Sequence, residues 1–364
     1  MRVVIIQPTI PAYRTDFFDR LHAEYGDDLV VYHSTLPMGA ISGTHLRRRW
    51  LHKLGKFLTV FPGLEWQFGV AGIDICRDDI VVIPGAPRNI SNLVLLIRAR
   101  LIGAKTIWWG HYWSATTRLW RFYIRMILMR LAHAVMFYTD AEVEEYRRTS
   151  WRHDPRTVTA INNGINTDPI KALRLPYAAG DRARRILFIG RLTVKAGLPL
   201  LLEAIAQPAA ADINLDIIGD GDSLASLQAR ASELGISGRV TWHGGTADET
   251  AIAVTANRAR LFVYPGDVGL SLIHAMAYGL PTVIHNERHA HMPEFAAFSE
   301  GETGWSFDRG DAGALAAVLA RHIDDDDALD RASARATEAV DDSFNTEFMA
   351  KRFAALIAQL SATR

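Results

Sequence analysis

The sequence predicts an α/β protein made of two successive parallel sheets with a cleft between them. Three observations lead there. Short β-branched or apolar runs alternate with helix-length amphipathic segments along the chain, the mark of a parallel α/β sheet. The pattern pauses at a turn-rich stretch, Pro176-Tyr-Ala-Ala-Gly180, and then restarts. At about 100–200 residues per domain, 364 residues are enough for two domains that each bury a core. The chain is 49% hydrophobic, too apolar for disorder, and its 27 Gly and 14 Pro are too few for a fibre.

In the first half the expected strands are Val3–Ile6, Leu29–Tyr32, Ile80–Ile83, Thr106–Trp109, Val135–Tyr138 and Val158–Ile161. After the pause come Arg185–Ile189, Leu215–Ile218, Val240–His243, Leu261–Tyr264 and Thr282–Ile284. These set a first domain at 1–178, a second at 179–342 and a last helix within 343–364. That helix carries Phe344, Phe348, Met349, Phe353, Leu356, Ile357 and Leu360 on one face, with Ser343 as its N-cap.

Composition narrows the function. A single cysteine, Cys76, excludes an intramolecular disulfide and suits a reducing cytoplasm. The opening apolar run is too short for a signal peptide and lacks a small-residue cleavage site. The uncharged stretch Val268–Asn286 contains Gly269, Gly279 and Pro281, and reads as helix, turn and strand rather than a membrane span. Formal net charge is zero, yet residues 1–180 hold 23 Lys+Arg against 15 Asp+Glu, and residues 181–364 hold 17 against 25. The basic half suits an anionic surface. Within it, Arg47–Leu58 places Trp50, Leu51, Leu54, Phe57 and Leu58 on one helical stripe beside Arg47, Arg48, Arg49, Lys53 and Lys56. That is the pattern of a helix lying in a lipid interface, and Arg118–Arg125 is a second candidate. An ordinary core-facing helix has the same stripe.

Three segments of the second half carry chemistry. Ile186-Leu-Phe-Ile-Gly190-Arg191, followed by Lys195 near a helix start, suits a diphosphate clamp. Leu215-Asp-Ile-Ile-Gly219-Asp-Gly221-Asp222 fails as a dinucleotide fingerprint, because Leu224 takes the place of the third glycine. Asp220 and Asp222 fit either a metal site or a capped strand-to-helix turn. In Tyr264-Pro-Gly266-Asp267-Val268-Gly269-Leu270, small loop residues precede a helix that carries His274 and ends at Gly279. Backbone amides at such a helix start can approach an anion closely. Asp324–Asp327 is either an acidic helix start or an ion site, and His285, His289 and His291 either a polar loop or a zinc site, although no cysteine lies near them.

Taken in order, these residues resemble the retaining family-4 glycosyltransferases of GT-B fold. The resemblance covers most of the chain and is strongest from about Arg185 to Phe307. It runs through Gly190-Arg191, Gly219-Asp-Gly221, Val240-Thr-Trp-His-Gly244, Pro281-Thr-Val-Ile284, Met292-Pro-Glu294 and Gly301-Glu-Thr-Gly304. In the first half, Tyr138-Thr-Asp140 and Ile161-Asn-Asn-Gly164-Ile-Asn166 resemble the family's strand end and its Asn-Gly-Ile-Asp turn. The resemblance implies two Rossmann-like α/β/α domains facing a cleft, with the C-terminal helix packing back on the first. It implies a hexosyltransferase-type enzyme that moves a sugar, with retention, from a nucleotide-diphosphate sugar to a glycan or polyprenyl-linked acceptor. Bacterial surface polysaccharide or glycolipid synthesis is the setting it implies, in the cytoplasm or peripherally on the inner face of the membrane.

Site residues follow from the same resemblance. Arg191 and Lys195 would hold the donor diphosphate, and Gly266, Val268, Gly269 and Leu270 would cover phosphate and sugar. Trp242, His243 and Gly244 would meet the base, and Glu294 stands at the family's Pro-Glu position. His111, after the strand ending at Trp109, and Asp267 would be catalytic, with Tyr13 and Arg14 on the acceptor side. No cofactor or metal is implied, since cations and helix N-termini can stabilise the leaving diphosphate. Nor is a nucleic-acid partner.

Two departures stand out. The family's Glu-x7-Glu places, for donor sugar and ribose, hold Gly266 and His274 here, as in some polysaccharide-assembly members. The family's Lys aligns with Ala196, which leaves Lys195 one step out of register. A sugar-nucleotide epimerase of the same fold, or a catalytically dead nucleotide-binding partner of an assembly complex, are the alternatives.

Overall fold

The structure, a computed structural model, describes residues 1–34, 48–112, 119–149 and 153–362. The chain divides into two compact units, residues 1–166 with 346–364, and residues 167–345.

The first unit begins with β1 (Val3–Gln7), α1 (Thr15–Tyr25), β2 (Leu29–His33), β3 (Leu51–Lys53) and a hairpin of β4 (Phe57–Phe61) and β5 (Leu64–Gln67). Then come β6 (Ile80–Pro84), α2 (Ile90–Ile102), β7 (Lys105–Trp109), α3 (Leu119–Met129), β8 (Ala134–Phe137), α4 (Asp140–Arg148) and β9 (Thr157–Ala160). Seven strands pair in parallel in the order β3-β2-β1-β6-β7-β8-β9. Strand alternation sorts the core into two layers. Val4, Ile6, Val81 and Ile83 face the layer under α2, α3 and α4, and Val3, Ile5, Ile80 and Val82 face the layer under α1.

The second unit holds α5 (Asp168–Leu173), β10 (Arg185–Ile189), α6 (Leu198–Ile205), β11 (Asn214–Ile218), α7 (Leu224–Glu233), β12 (Val240–Gly244) and α8 (Glu249–Ala256). It continues with β13 (Leu261–Tyr264), α9 (Leu270–Ala277), β14 (Thr282–His285), β15 (Gly304–Phe307), α10 (Ala312–His322) and α11 (Asp326–Ser343). Its six strands are also parallel, in the order β12-β11-β10-β13-β14-β15. In both sheets the chain steps outward from its first strand and then returns to that strand's other side. Loops leave in opposite directions there, and crevices at such points bind ligands.

All eleven expected strands are present within a residue or two, and the fold is the expected α/β arrangement of Rossmann-like halves. The boundary is not at 178. The chain passes between units at Asn166, and the segment before 178 belongs to the second. There the Leu175 amide donates to the Asn257 side chain (3.1 Å) and the Tyr177 hydroxyl to the Arg260 carbonyl (2.6 Å). Ser343 does not cap the last helix, since α11 runs through it. The last helix is α12 (Thr346–Ala362), and it belongs to the first unit, with Phe353 edge-on to Phe17 at 5.9 Å.

The expected helix over Arg47–Leu58 is overturned. Arg47 lies outside the described residues, 49–50 form a turn, and β3 and β4 follow. Gly55 explains the failure: a Cβ there would lie 2.7 Å from that of Phe68, and the Gly55 amide donates to the Phe68 carbonyl at 3.0 Å. The backbone is held extended against a neighbouring segment, and the apolar spacing is helical by coincidence. Trp50 faces the core, 3% exposed and beside Phe18. Arg48 pairs with Asp19. Among the described residues no helix is long and apolar enough to cross a membrane.

Trp50 therefore acts on stability. Trp50→Ala should lower unfolding free energy by about 3–5 kcal/mol, as loss of a buried aromatic does. Urea titration checks it; a change under 1 kcal/mol would place the ring outside the core.

Candidate functional site

In the second unit the strand order reverses between β10 and β13, and the loops leaving their C-terminal ends carry Gly190-Arg191 and Pro265–Gly269. Arg191 and Lys195 are exposed, and neither is in an ion pair among the described residues. Two exposed charges without ion-pair partners, on loops at the sheet's reversal, can take up an anion.

The two loops touch. A Cβ on Gly266 would lie 2.0 Å from the Lys195 carbonyl oxygen, and one on Gly197 would lie 2.9 Å from the Gly266 amide nitrogen. The Asp267 amide donates to the Lys195 carbonyl at 3.3 Å. No side chain fits at 266, so the glycine there is a matter of backbone packing. Ala196 is fully buried, and Lys195 beside it is exposed.

His274 is not alone on α9. Its Nε2–H donates to the Glu249 carboxylate at 3.0–3.1 Å, and the Tyr278 hydroxyl donates to the same group at 2.7 Å. Burial pushes the Glu249 carboxyl up, but the His274 and Tyr278 hydrogen bonds outweigh it and hold it below the usual range. Burial, then the Glu249 contact, raises Tyr278. Glu249 was missed from sequence because an acid in the first turn of a helix, here just after the cap Asp248, reads as a dipole partner.

Asp267 is not a free carboxylate. Arg309 donates to it at 2.8 Å and also to Glu287 at 2.8 Å, and His285 Nε2 lies 3.5 Å away. Behind it His291 stacks on His285 at 3.7 Å and on Phe295 at 4.8 Å. Its Nδ1 accepts from the Val268 amide (3.0 Å), so its Nε2–H donates to the His285 carbonyl (2.8 Å). Burial pushes this imidazole down to about 4, so it is neutral and braces the 266–269 loop. Glu294 is buried, with its Oε2 within 3.7 Å of where a Cβ on Gly269 would lie. Leu270 opens α9, and Val268 is fully buried.

Trp242, His243 and Gly244 end the edge strand β12. His243 Nε2 lies 2.9 Å from buried Asp216, which also holds Arg185 at 2.7 Å, and Trp242 packs on the unit's core. These two side chains are thus already engaged.

In the first unit the same kind of reversal falls between β1 and β6, where the loop after β1 presents Tyr13 and Arg14. Arg14 is buried and donates to the Asn163 side chain at 2.7 Å, and its guanidinium lies 5.4–5.8 Å from the rings of Tyr13, Trp109 and Tyr138. No carboxylate pairs with it among the described residues. His111 follows β7 and stacks on Tyr138 at 4.2 Å, with Nδ1 3.7 Å from Glu142. Glu142 accepts from the amides of Tyr112, Tyr138 and Thr139, each at 3.0 Å, which fixes the loop bearing His111 to the capping box of α4. Sequence reading missed Glu142 too, although Thr139 with a Glu three residues on is the capping-box signal.

Asp220 accepts from the Gly221 amide at 2.7 Å in a strand-to-helix turn, and Asp325 caps α11 while Asp324 and Asp326 pair with Arg184 and Arg260. Among the described residues no three His, Cys, Asp or Glu side chains gather to hold a metal ion.

Two outcomes follow. Folded His291 takes up its proton well below an unfolded imidazole, near 6.5, so its contribution to stability is full above that and is lost as pH falls towards 4. The loss should reach up to about 3 kcal/mol, and His291→Phe, which keeps the stack, should flatten the profile of urea midpoint against pH between 7 and 4.5. Gly266→Ala should destabilise by roughly 1–3 kcal/mol through overpacking; an unchanged midpoint would show that the loops can part.

Known proteins share this fold. Residues 171–339 match the family described as Glycosyl transferases group 1. The lipopolysaccharide core biosynthesis glycosyltransferase LpsE of Rhizobium meliloti (strain 1021) is 24% identical over 243 residues, 66% of this chain and 69% of that protein. A glycosyltransferase from Rickettsia africae ESF-5 superposes with a TM-score of 0.70 at 14% identity, covering 98% of this chain and 97% of that one. Anabaena Alr3699/HepE in complex with UDP-glucose gives 0.64 at 16% identity, covering 99% and 100%. At such identities the structural likeness speaks for the fold. The match over residues 171–339 and the activity named for LpsE support a glycosyltransferase, and the fold is GT-B.

Proposed function

We propose that this enzyme moves a hexosyl group, with retention, from a nucleotide-diphosphate sugar to a glycan or polyprenyl-linked acceptor in the synthesis of a bacterial surface polysaccharide or lipopolysaccharide. The observation that carries the donor half is the pair Arg191 and Lys195, exposed without ion-pair partners where the second sheet reverses. The leaving diphosphate gains charge as the glycosidic bond breaks, and fixed cations beside a helix start stabilise that charge without a metal. His274, oriented by Glu249, donates or accepts at a ribose hydroxyl. The likeness to LpsE supports the polysaccharide setting, and HepE, seen with UDP-glucose, makes UDP sugars the first donors to try. His111 and the Asp267–Arg309 pair bear on turnover, and Tyr13 and Arg14 on the acceptor. A polyprenyl-linked acceptor puts the enzyme on the inner face of the cell membrane.

Titration calorimetry with UDP and GDP tests the donor site. Loss of one charge-assisted contact costs about 1.5–3 kcal/mol, so Arg191→Ala and His274→Ala should each weaken nucleotide binding about tenfold or more. Glu249→Gln should raise the donor KM more than it lowers kcat. Unchanged affinity in both alanine variants would defeat the assignment. With labelled nucleotide sugar and bacterial membranes, transfer that survives EDTA is expected. Isomerised free donor would indicate an epimerase, and binding without turnover a nucleotide-binding partner.

A further inference from the structure

Arg14 ends the short helical turn Ala12–Arg14 after β1, and only 8% of it is exposed. Its surroundings hold a cation in place without neutralising it. One terminal N–H group donates to the Asn163 side-chain oxygen at 2.7 Å, and the rings of Tyr13, Trp109 and Tyr138 lie 5.4–5.8 Å from the guanidinium carbon. An amide oxygen and ring faces attract a cation yet carry no opposite charge. The Arg14 Nε–H is buried with no acceptor among the described residues, and the Trp109 indole N–H, on one of those rings, has none either. A charge and donors withdrawn from water are costly unless paired, so the group calls for an anion.

The chain does not supply one. Every Asp and Glu side chain lies among the described residues, since residues 35–47, 113–118, 150–152 and 363–364 contain neither type. Those near this loop are engaged elsewhere. Asp16 accepts from Arg20 at 2.7 Å and from the Thr346 hydroxyl. Asp140 accepts from Arg352 at 2.6 Å and from the Asn162 side chain at 2.8 Å, and Glu142 is occupied by three backbone amides.

The neighbouring rings say what carries the anion. Trp109 is buried and Tyr138 half-buried, whereas Tyr13 is 38% exposed, so the Tyr13 side is the open one. An aromatic face open to solvent takes the apolar face of a sugar ring. The guanidinium fork behind it matches a carboxylate or a phosphate. A neutral sugar would leave the cation and its Nε–H unpaired, and sites built around a polar group discriminate strongly against ligands that lack its partner.

We propose that Arg14 is the anion-binding group of the acceptor site, and that the sugar seated against Tyr13 bears a carboxylate or a phosphate. This rests on the reading of Tyr13 and Arg14 as the acceptor side. Thermal unfolding of the full chain with glucuronate, glucose 6-phosphate, glucose and inorganic phosphate tests it. At least one acidic sugar should raise the midpoint, the stronger of the two naming the anion, and glucose and inorganic phosphate should need about tenfold higher concentration or more. Arg14→Gln should abolish that preference while binding UDP as wild type, and Arg14→Lys should retain part of it. Tyr13→Ala, which removes an exposed ring, should weaken the acidic-sugar response in a chain that unfolds as wild type. No response to either acidic sugar, an equal response to glucose, or an undiminished response in Arg14→Gln would overturn the assignment. So would an equal response to inorganic phosphate, which would mark an adventitious ion only, or UDP affinity lost in Arg14→Gln, which would give Arg14 to the donor. Competition against transfer to bacterial membranes separates this proposal from the reading beneath it. An acidic sugar that binds through Arg14 without inhibiting transfer defeats the acceptor reading of the loop. Transfer impaired by Tyr13→Ala, with no preference for acidic sugars, defeats the anion alone.

Discussion

Where β13 ends, Gly266 lies so close to the Lys195 carbonyl that the two loops form one packed piece of backbone. The contact joins the strands on either side of the reversal in the second sheet. It turns Lys195 outward, buries Ala196 and brings the 266–269 loop onto the start of α9. His291 and His285 support that loop from behind, and Arg309 holds Asp267 at its side. Interiors packed this closely do not yield by ångströms, so the site is built around the absence of a side chain.

A carboxylate excluded from 266 is not excluded from the unit. Glu249 reaches His274 from α8, a different helix, and the imidazole and the Tyr278 hydroxyl both point their protons at it. One acidic group thus stands behind the imidazole and accepts from both α9 side chains.

Strand runs such as Val3–Gln7 and Arg185–Ile189 were legible because buried parallel strands need unbroken apolar sequence, which little else in a soluble chain produces. The Gly190-Arg191 turn and the Gly-rich loop before α9 were legible because backbone packed against backbone tolerates few residue types. Trp50 was not: its spacing with Leu54 and Phe57 suits a helix, and only the pairing of Gly55 with Phe68, a contact between separate segments, decides against it. Glu249, Arg309 and Glu142 were missed for a related reason. Each acts on a group distant in the chain, Glu142 on the Tyr112 amide besides its local cap, and a charged residue at a helix start or loop looks solvated until its partner is located.

Glu142 has a wider consequence. One carboxylate satisfies amides after β7 and after β8 and completes the cap of α4. Glutamine there would present an amide N–H2 to donors, and aspartate would fall a methylene short, so neither substitution is available piecemeal. Helix start, loop and the ring of His111 therefore hang from one carboxylate, so that losing it would release all three at once.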